Sequence, residues 1–364
     1  MLTSQCELGN WKLPLQCRRP LPCDLRHFDP GAQFNRKLLQ RARSRVWAKN
    51  NEDAPNRHYQ YGVEWWLYRA LPPPTTNQSE LTNARSVFIS SFDSYAFIFE
   101  PQRAQKGYER ALADLPDMAE RPARYVFSEH HPGACLPATA KHMRLIADED
   151  LTCKGGAASV PVPYVVSRPA WLVAPELPRT NRSTLLFFRG HLPRSTIDTK
   201  QVRRNLLLKL QGLPGVQVEA ATAQPGAVYE PHDAYLAKMM RAAFCLAPRG
   251  DTASSKRLYE AIAAGCVPVI ISDTLRLPFE RRLRWADFSI RMREDDVLKA
   301  PVRLVEWLRE LTPERVLGLQ TNLERVRRHF IWHLDPTRES AVDQIITDIC
   351  EGPPLQMQPE YVDF

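Results

Sequence analysis

The stretch that decides the fold spans residues 244–273 and reads FCLAPRGDTASSKRLYEAIAAGCVPVIISD. Its apolar start, which runs to Ala247, predicts a buried strand, and Val267–Ile271 predicts a second one. Between them, residues 255–264 have the periodicity of an amphipathic helix, and Gly265 stands where a glycine commonly ends a helix. A strand, a helix and a strand in this order predict a βαβ unit in a parallel sheet.

The loop before this helix has the composition of an anion-binding site. Ligands of open parallel sheets bind at the carboxyl ends of strands, where a helix N-terminus offers unpaired N–H groups to a phosphate. Ser254 or Ser255 can cap the helix, and Glu260, one turn further on, can accept hydrogen bonds from two ribose hydroxyls. An ordinary βαβ unit with Glu260 on a solvated helix face fits the same pattern. The predicted anion site also contains Arg249, Gly250, Lys256, Arg257 and Asp273.

The alternation of strands and helices extends outward from this stretch and divides the chain. It is clean after about residue 185 and looser, but in the same sense, before it, which predicts an α/β protein with parallel sheets. A proline-rich stretch without periodicity separates the two halves. The predicted organisation is an irregular Cys/Pro-rich segment at 1–26, a Rossmann-like domain at 27–170, a linker at 171–184, a second Rossmann-like domain at 185–350 and a tail at 351–364.

Composition limits the classes of function. The 364 residues carry a net charge of +8, and 38 of the 49 basic residues are arginines, whose planar guanidinium suits phosphate and carboxylate groups. The chain lacks the aromatic–basic motif, the zinc site and the lysine-rich tail of nucleic-acid-binding proteins, so we expect no nucleic-acid partner. No stretch approaches 18 consecutive apolar residues, so the sequence predicts no transmembrane helix.

The eight cysteines include no C-x-x-C pair, so a zinc ribbon or a thioredoxin-type site is not expected. Cys6, Cys17 and Cys23 lie close together in sequence and could form a small disulfide-bonded segment. Cys245 and Cys266 lie in apolar runs, and we expect them to be small buried core residues.

The 244–273 stretch resembles the signature of the exostosin-type glycosyltransferases (glycosyltransferase family 47), whose second half carries F-C-L-x-P-x-G, then R-x-x-E-A-I and G-C-V-P-V-I-I-S-D. The matching positions include Phe244, Cys245, Leu246, Pro248, Gly250, Arg257, Glu260, Gly265 and Asp273. Weaker similarities at 61–70, 185–190 and 322–330 extend the resemblance over about residues 25–350.

This resemblance implies a GT-B architecture, in which two Rossmann-like domains with parallel sheets face a cleft. The second domain would bind a nucleotide-diphosphate sugar, expected to be a UDP-sugar, and the first a glycan acceptor. The implied reaction transfers a hexose or pentose with inversion, in the synthesis of a cell-surface or wall polysaccharide or a proteoglycan. The alternative is an inactive binding subunit of a glycosyltransferase complex, because His131 and Pro132 replace two residues of the family's H-D-W-G motif.

The reaction needs positive charge near the leaving diphosphate and a base near the acceptor hydroxyl. Gly190 would let the backbone approach the ligand closely. The candidate bases are His130, which matches the H-D-W-G motif, and Glu129. Further expected donor-side residues are Arg189, Arg203 and Arg204.

No cofactor is required by this interpretation, because arginines and a helix N-terminus can neutralise a diphosphate in place of a metal ion. The sequence Asp148-Glu149-Asp150 has D-x-D spacing, and we interpret it as a solvated loop, while dependence on a divalent metal stays open. Family members are typically Golgi type II membrane proteins, which predicts a lumenal Golgi location. Membrane association would then depend on a segment absent from this chain, and homo- or hetero-oligomers fit the resemblance.

Overall fold

The chain folds around two five-stranded sheets, one in each half, and all strand pairs within them are parallel. The structure is a computed structural model that describes residues 20–29, 62–90, 115–130, 141–147, 159–166, 182–192, 200–221, 232–335, 338–353 and 358–364. The predicted α/β class with parallel sheets is confirmed.

The first sheet has the strand order β1-β2-β3-β4-β5. Its strands are short and almost entirely buried, as is usual for parallel strands covered on both faces. They are β1 Leu25–Phe28, β2 Ser86–Ile89, β3 Tyr125–Ser128, β4 Met143–Ile146 and β5 Ser159–Pro161. The register pairs Val126 with Met143 and Leu145 with Val160, so apolar side chains continue from strand to strand across the sheet.

The second sheet has the strand order β10-β9-β8-β6-β7. Its strands are β6 Thr184–Gly190, β7 Val216–Ala220, β8 Ala242–Pro248, β9 Val267–Ile271 and β10 Ile290–Met292. The register pairs Phe244 with Val267 and Pro248 with Ile271, so β8 and β9 lie side by side as the βαβ pattern predicts. The carboxyl ends of β6, β8 and β9 therefore meet at one edge of this sheet.

The helices connect the strands and cover the sheets. The described ones are α1 Val63–Ala70, α2 Gln78–Asn83, α3 Val202–Leu210, α4 His232–Met240, α5 Lys256–Ala263, α6 Glu294–Lys299, α7 Pro301–Glu310, α8 Pro313–Arg327 and α9 Ala341–Glu351. Helix α5 ends as the sequence predicts, because Gly265 adopts a φ of +65° and its amide bonds the carbonyl of Ile262. Within these described ranges, none of the helices has both the length and the apolar character needed to cross a membrane.

Some elements differ from the sequence prediction. Strand β1 begins at Leu25, inside the segment predicted to be irregular, because four residues are too short to show a period. The three prolines at 72–74 and the polar tract to Glu80 predict a surface loop, but helix α2 begins within it, and the Asn77 side chain caps this helix by accepting from the amides of Ser79 and Glu80. The sequence predicts an extended, proline-rich strand at 160–166, but only its beginning is regular, in β5. The sequence does not predict β10 or α6. Apolar patterns also predict a helix at 34–47, a strand at 95–99 and a helix at 104–115. The first two lie outside the described residues, as does nearly all of the third.

The residues before and within α9 join the two halves of the chain. Trp332 donates its indole N–H to the carbonyl of Tyr164 at 3.2 Å, and its ring lies 6.1 Å from that of Trp66. Within α9, Cys350 forms a disulfide with Cys23. The last part of the predicted second domain, from Trp332 to Cys350, therefore packs against the first half and is covalently linked to it.

The predicted burial of Cys245 and Cys266 is confirmed, but the sequence prediction misses both disulfides of the described residues. Cys245 and Cys266 are buried, as expected, but they form a disulfide, with Cα atoms 5.8 Å apart. Cys23 pairs with Cys350 instead of with its neighbours in sequence. Both pairings depend on which strands and helices become neighbours in space, and spacing along the chain does not show this. The four cysteines in the described ranges are all disulfide-bonded.

The Cys23–Cys350 bond joins residues 327 positions apart, whereas Cys245 and Cys266 are 21 positions apart. A longer closed loop removes more entropy from the unfolded chain. The Cys23→Ala/Cys350→Ala variant should therefore lose about 5 kcal/mol of unfolding free energy, measured by urea denaturation, and the Cys245→Ala/Cys266→Ala variant about 3 kcal/mol. A larger loss in the second variant would contradict this explanation.

Candidate functional site

The candidate site lies where the ends of two strands meet the beginnings of two helices in the second half. β6 ends at Gly190, and β8 ends just before a loop that contains Gly250. Arg203 stands in the first turn of α3, and α5 begins at Lys256 after Ser255 in the N-cap position. This is the edge at which the sequence predicts an anion site.

Two arginines converge on one serine hydroxyl at this edge. Ser255 Oγ accepts a hydrogen bond from Arg203 Nη2 at 3.2 Å and another from Arg257 Nη1 at 3.4 Å. The predicted side-chain cap is absent, because the Ser255 hydroxyl makes no hydrogen bond to the amides of α5. A hydroxyl has two acceptor lone pairs, and here the two guanidinium groups use both. Two positive charges are thus fixed close together at a helix N-terminus.

Glycines make room for both guanidinium groups. A Cβ atom at Gly190 would lie 2.4 Å from Arg257 Nη2, and one at Gly250 would lie 2.7 Å from Arg203 Nη2. Both distances are far below van der Waals contact. The sequence interpretation gave Gly190 a different purpose, the approach of backbone to ligand; in the structure the guanidinium of Arg257 lies in the space beside it.

Arg257 is half-buried, and its partners carry no negative charge. Its guanidinium lies 5.0 Å from the ring centroid of Phe188 and interacts with the hydroxyl groups of Ser255 and Tyr235. Burial raises the pKa of Tyr235 well above its usual value, and the nearby Glu260 carboxylate adds to this effect, so Tyr235 is a neutral hydrogen-bond donor. The positive charge of Arg257 is therefore held in place without a contacting carboxylate among these partners.

Glu260 is buried instead of lying on a solvated helix face. Its Oε2 accepts a hydrogen bond from the Tyr235 hydroxyl at 2.9 Å, and its Oε1 lies 3.1 Å from Lys256 Nζ. A carboxylate has about four lone-pair sites, so an oxygen can accept from more than one donor. A ribose at Glu260 would share its carboxylate with Lys256 or displace that lysine.

A second cluster connects the loop after β9 with the beginning of α6. Asp273 Oδ1 accepts the amide of Glu294 at 3.0 Å, and Glu294 Oε1 accepts the amide of Asp273 at 3.1 Å. Lys200 lies within 3.4 Å of three carboxylates, and its hydrogen bond to Asp295 is the main cause of its raised pKa. Arg249 Nη1 lies 3.6 Å from Glu294 Oε1. Arg249 and Asp273, both predicted to bind donor, are thus engaged in this cluster and not in the arginine pair.

Two other predicted arginines also lie apart from the pair. Arg189 Nε is 3.6 Å from Glu219 Oε2 on the neighbouring strand β7, and Lys238 binds the same carboxylate. Arg204 follows Arg203 on α3 but is exposed to solvent, and no hydrogen bond joins it to Ser255. Successive residues of a helix point to different faces, so Arg203 and Arg204 do not reach the same partner although they are adjacent in sequence. Ser254, the other predicted cap, is buried.

The predicted bases follow directly after β3, and both are buried. Glu129 Oε2 lies 3.6 Å from Arg144 Nη1, and Arg144 also donates to Ser159 Oγ, so Glu129 is part of a buried ion pair within the first sheet. This contact favours a structural role for Glu129 over a catalytic one. The ring of His130 packs against Tyr164 at a centroid distance of 5.2 Å.

An aromatic contact links this strand end to the arginine site. Tyr164, which touches His130, lies 6.0 Å from the ring of Tyr259, and Tyr259 precedes Glu260 on α5. His130 is therefore connected to the helix of the candidate site through two tyrosine rings. Within the described part of the chain, no group of three or more His, Cys, Asp or Glu side chains is arranged to hold a metal ion. The D-x-D sequence at 148–150 lies outside that part.

Comparison with known proteins now decides the family. The Exostosin GT47 domain matches residues 28–308, about three quarters of the chain. The chain belongs to the exostosin GT47 family. The match begins at the last residue of β1 and ends before α8 and α9. The family domain therefore includes the whole arginine site.

The curated relatives of this GT47 chain include plant proteins. It is 35% identical over 299 residues to the probable arabinosyltransferase ARAD1 of Arabidopsis thaliana, and the alignment covers 75% of this chain and 65% of the relative. It is 30% identical over 348 residues to the probable glucuronosyltransferase Os03g0107900 of Oryza sativa subsp. japonica, and this alignment covers 86% of this chain and 73% of the relative. A solved α1,3-fucosyltransferase aligns over 95% of this chain and 93% of its own with a TM-score of 0.38 and 9% identity, too low to support an argument.

The sequence analysis of this GT47 chain missed Tyr235. Its hydroxyl binds Glu260 and interacts with Arg257, yet Tyr235 lies on α4, which is 15 residues or more upstream of α5. Its apolar neighbours in sequence predict only an amphipathic helix. A buried tyrosine needs a partner for its hydroxyl, but the sequence does not show which acceptor is near.

Substitution of Gly190 tests whether the glycine makes room for Arg257. Gly190→Ala should displace the guanidinium, the movable end of a flexible side chain, and lower the free energy of unfolding by about 1 kcal/mol, measured by urea denaturation. The control is Gly318→Ala in helix α8, where a Cβ meets no atom within 4 Å. It should stabilise the protein by about 0.5–1 kcal/mol, because alanine favours helix over glycine. Equal effects in the two variants would mean that Arg257 is not confined by Gly190.

Proposed function

We propose that this chain is an inverting glycosyltransferase that moves a hexose or pentose from a nucleotide-diphosphate sugar, a UDP-sugar, to a glycan in wall polysaccharide synthesis. Its membership of the GT47 family supports glycosyl transfer, and the relatives named above are called arabinosyl- and glucuronosyltransferases. The chain spans 65% of the length of the first of those relatives, so the activity of the complete relative enters here as part of the proposal.

The observation that carries the proposal is the pair of guanidinium groups on Ser255. In the reaction, the acceptor oxygen forms a bond to the anomeric carbon, and the bond from that carbon to the diphosphate oxygen breaks. The electron pair of the broken bond stays on the diphosphate, whose negative charge grows in the transition state. Fixed positive groups at this position stabilise that charge without reorganising. Arg203 and Arg257 are such groups, and the beginning of α5 adds its helix dipole.

Glu260 is our candidate for binding the ribose of the donor. It lies one turn beyond Arg257 on the same helix, so a nucleotide whose phosphates meet the arginine pair would bring its ribose near this carboxylate. Tyr235 fixes the carboxylate by its hydrogen bond to Oε2. Arg249, Gly250 and Asp273 would shape the same edge through the loops after β8 and β9, and they remain proposed donor-side residues with Arg189, Gly190, Arg204 and Ser254.

His130 is our candidate for the base that removes the proton of the acceptor hydroxyl. Its place at the carboxyl end of β3 and its link through Tyr164 to α5 support this role. Glu129 is the weaker candidate because Arg144 already occupies its carboxylate. We further propose a lumenal Golgi location, and the two disulfides support it, since such bonds persist in oxidising compartments of the secretory route.

Nucleotide binding tests the arginine pair. Arg257→Ala should weaken the affinity for UDP by about 10- to 100-fold, because it removes a charge-assisted hydrogen bond, and calorimetric titration measures this. Among the described residues, no carboxylate contacts Arg257 and would be left unpaired by the substitution. The control is Arg241→Ala, an exposed arginine just before β8 and thus at the opposite end of that strand from the site, which should bind UDP as the wild type does.

A sugar-transfer assay separates an enzyme from an inactive subunit. Wild-type protein that transfers sugar from one member of a panel of UDP- and GDP-sugars is an enzyme. Protein that binds UDP, but neither hydrolyses nor transfers any sugar with varied acceptors, is a binding subunit, and the proposed reaction is then wrong. Equal UDP affinity in wild type and Arg257→Ala would remove the arginine pair from the donor site.

The role of His130 is tested by separating chemistry from binding. His130→Gln should reduce kcat of sugar transfer by at least about 100-fold, because the acceptor loses its base, while UDP affinity stays unchanged. Arg144→Gln in a parallel preparation shows how much is lost when the neighbouring buried ion pair alone is disturbed. Transfer by His130→Gln at more than half of the wild-type rate would exclude His130 as the base.

A further inference from the structure

Residues 358–364, part of the segment predicted to be a tail, pack against the second sheet. The amide of Val362 donates to the carbonyl of Arg291 on β10 at 2.8 Å, which fixes the segment beside that edge strand. The side chains of Val362 and Phe364 are partly buried against the main hydrophobic core. The segment is therefore an ordered part of this half of the protein.

The same segment holds the loop that follows β9. The Tyr361 hydroxyl donates a hydrogen bond to the carbonyl of Asp273 at 2.9 Å. On either side of that carbonyl, Arg291 Nη2 binds the carbonyls of Ser272 at 3.0 Å and Leu275 at 2.7 Å. Three carbonyl groups within four residues are thus bound by two side chains, and the amide of Asp273 is bound by Glu294. The path of residues 272–275 is set by these bonds.

Two arginines fix the position of the Tyr361 ring. The guanidinium of Arg293 lies 4.3 Å from the ring centroid, and that of Arg291 lies 5.2 Å from it. Cation–π contacts of this length contribute about 0.5–1 kcal/mol each at exposed sites. The neighbouring Glu360 forms two hydrogen bonds with Arg284, but both of these side chains are largely exposed. Tyr361 is therefore the residue of the segment that reaches the loop.

The 272–275 loop is adjacent to the candidate donor site. The amide of Arg249 bonds the carbonyl of Ile271 at 2.9 Å, and Arg249 Nη1 lies 3.6 Å from Glu294. Lys200, which precedes α3, binds Asp273 at 3.4 Å. Since α3 carries Arg203, a displacement of the loop would be transmitted to both the loop after β8 and the helix that supplies one arginine of the pair.

We propose that Tyr361 is a positioning residue of the donor site: its hydroxyl holds the 272–275 loop against Arg249 and the beginning of α3, and so sets the affinity for the nucleotide-diphosphate donor. This inference rests on the proposed function. Without the hydroxyl, the Asp273 carbonyl loses its partner from residues 358–364 while the ring can keep its place between the arginines. The loop then gains freedom that nucleotide binding has to remove again.

The test uses the full chain and the Tyr361→Phe variant, which removes the hydroxyl and keeps the ring. In ligand-free protein, hydrogen exchange of the amides at 272–276 should become about fivefold faster, the effect of one lost hydrogen bond, while exchange in β8 stays unchanged. Calorimetric titration should then show UDP binding about fivefold weaker than in the wild type. In sugar transfer, KM for the donor should rise with little change in kcat.

The matched control is Glu360→Gln, which removes the exposed ion pair next to Tyr361. It should leave exchange at 272–276 and UDP affinity as in the wild type. If Tyr361→Phe leaves exchange at 272–276 unchanged, the hydroxyl does not hold the loop, and the proposal is wrong. If exchange rises but UDP affinity does not fall, Tyr361 has a structural role only. A wild type that binds no UDP overturns the proposed function, whereas the exchange measurement still shows whether Tyr361 holds the loop.

Discussion

The arrangement of the candidate site depends on one steric constraint, the absence of side chains at Gly190 and Gly250. The space that their Cβ atoms would occupy is filled by the guanidinium groups of Arg257 and Arg203. A side chain at either glycine would push one of these guanidinium groups out of its place. Without such side chains, both arginines reach the same Ser255 hydroxyl, and positive charge collects at the beginning of α5. The remaining groups of the site are arranged around this pair.

The charges around the pair fall into two kinds. Arg189, Arg249 and Lys200 have carboxylate partners within 4 Å, so most of their charge is matched inside the protein. Arg257 instead contacts hydroxyl groups and an aromatic face. An anionic ligand binds more favourably to a cation such as Arg257, because it does not compete with a protein carboxylate there. The net charge of +8 therefore has less bearing on function than the position of these two guanidinium groups.

The second half also depends on contacts that come from far along the chain. Cys350 of helix α9 is bonded to Cys23, and Trp332 donates a hydrogen bond to the carbonyl of Tyr164, so the two halves are joined covalently and by packing. Residues 358–364 contact the loop after β9 through the Tyr361 hydroxyl. Loops at the ends of strands are the most mobile parts of such sheets. Here they are held by side chains from distant segments, which allows a site built on loops to keep a defined shape.

The sequence by itself determined the strand–helix–strand unit at 244–273, the parallel α/β class and the position of Arg257 and Glu260 on one helix, because hydrophobic periods and glycine positions are local properties. It also carried the GT47 resemblance that the family comparison then showed. Only the tertiary structure decided that Arg203 joins Arg257 while Arg204 does not, that Tyr235 holds Glu260, and that Cys245 pairs with Cys266. The physical reason is that these contacts cross between elements, and the lateral order of strands and the facing of helices arise from packing the whole chain.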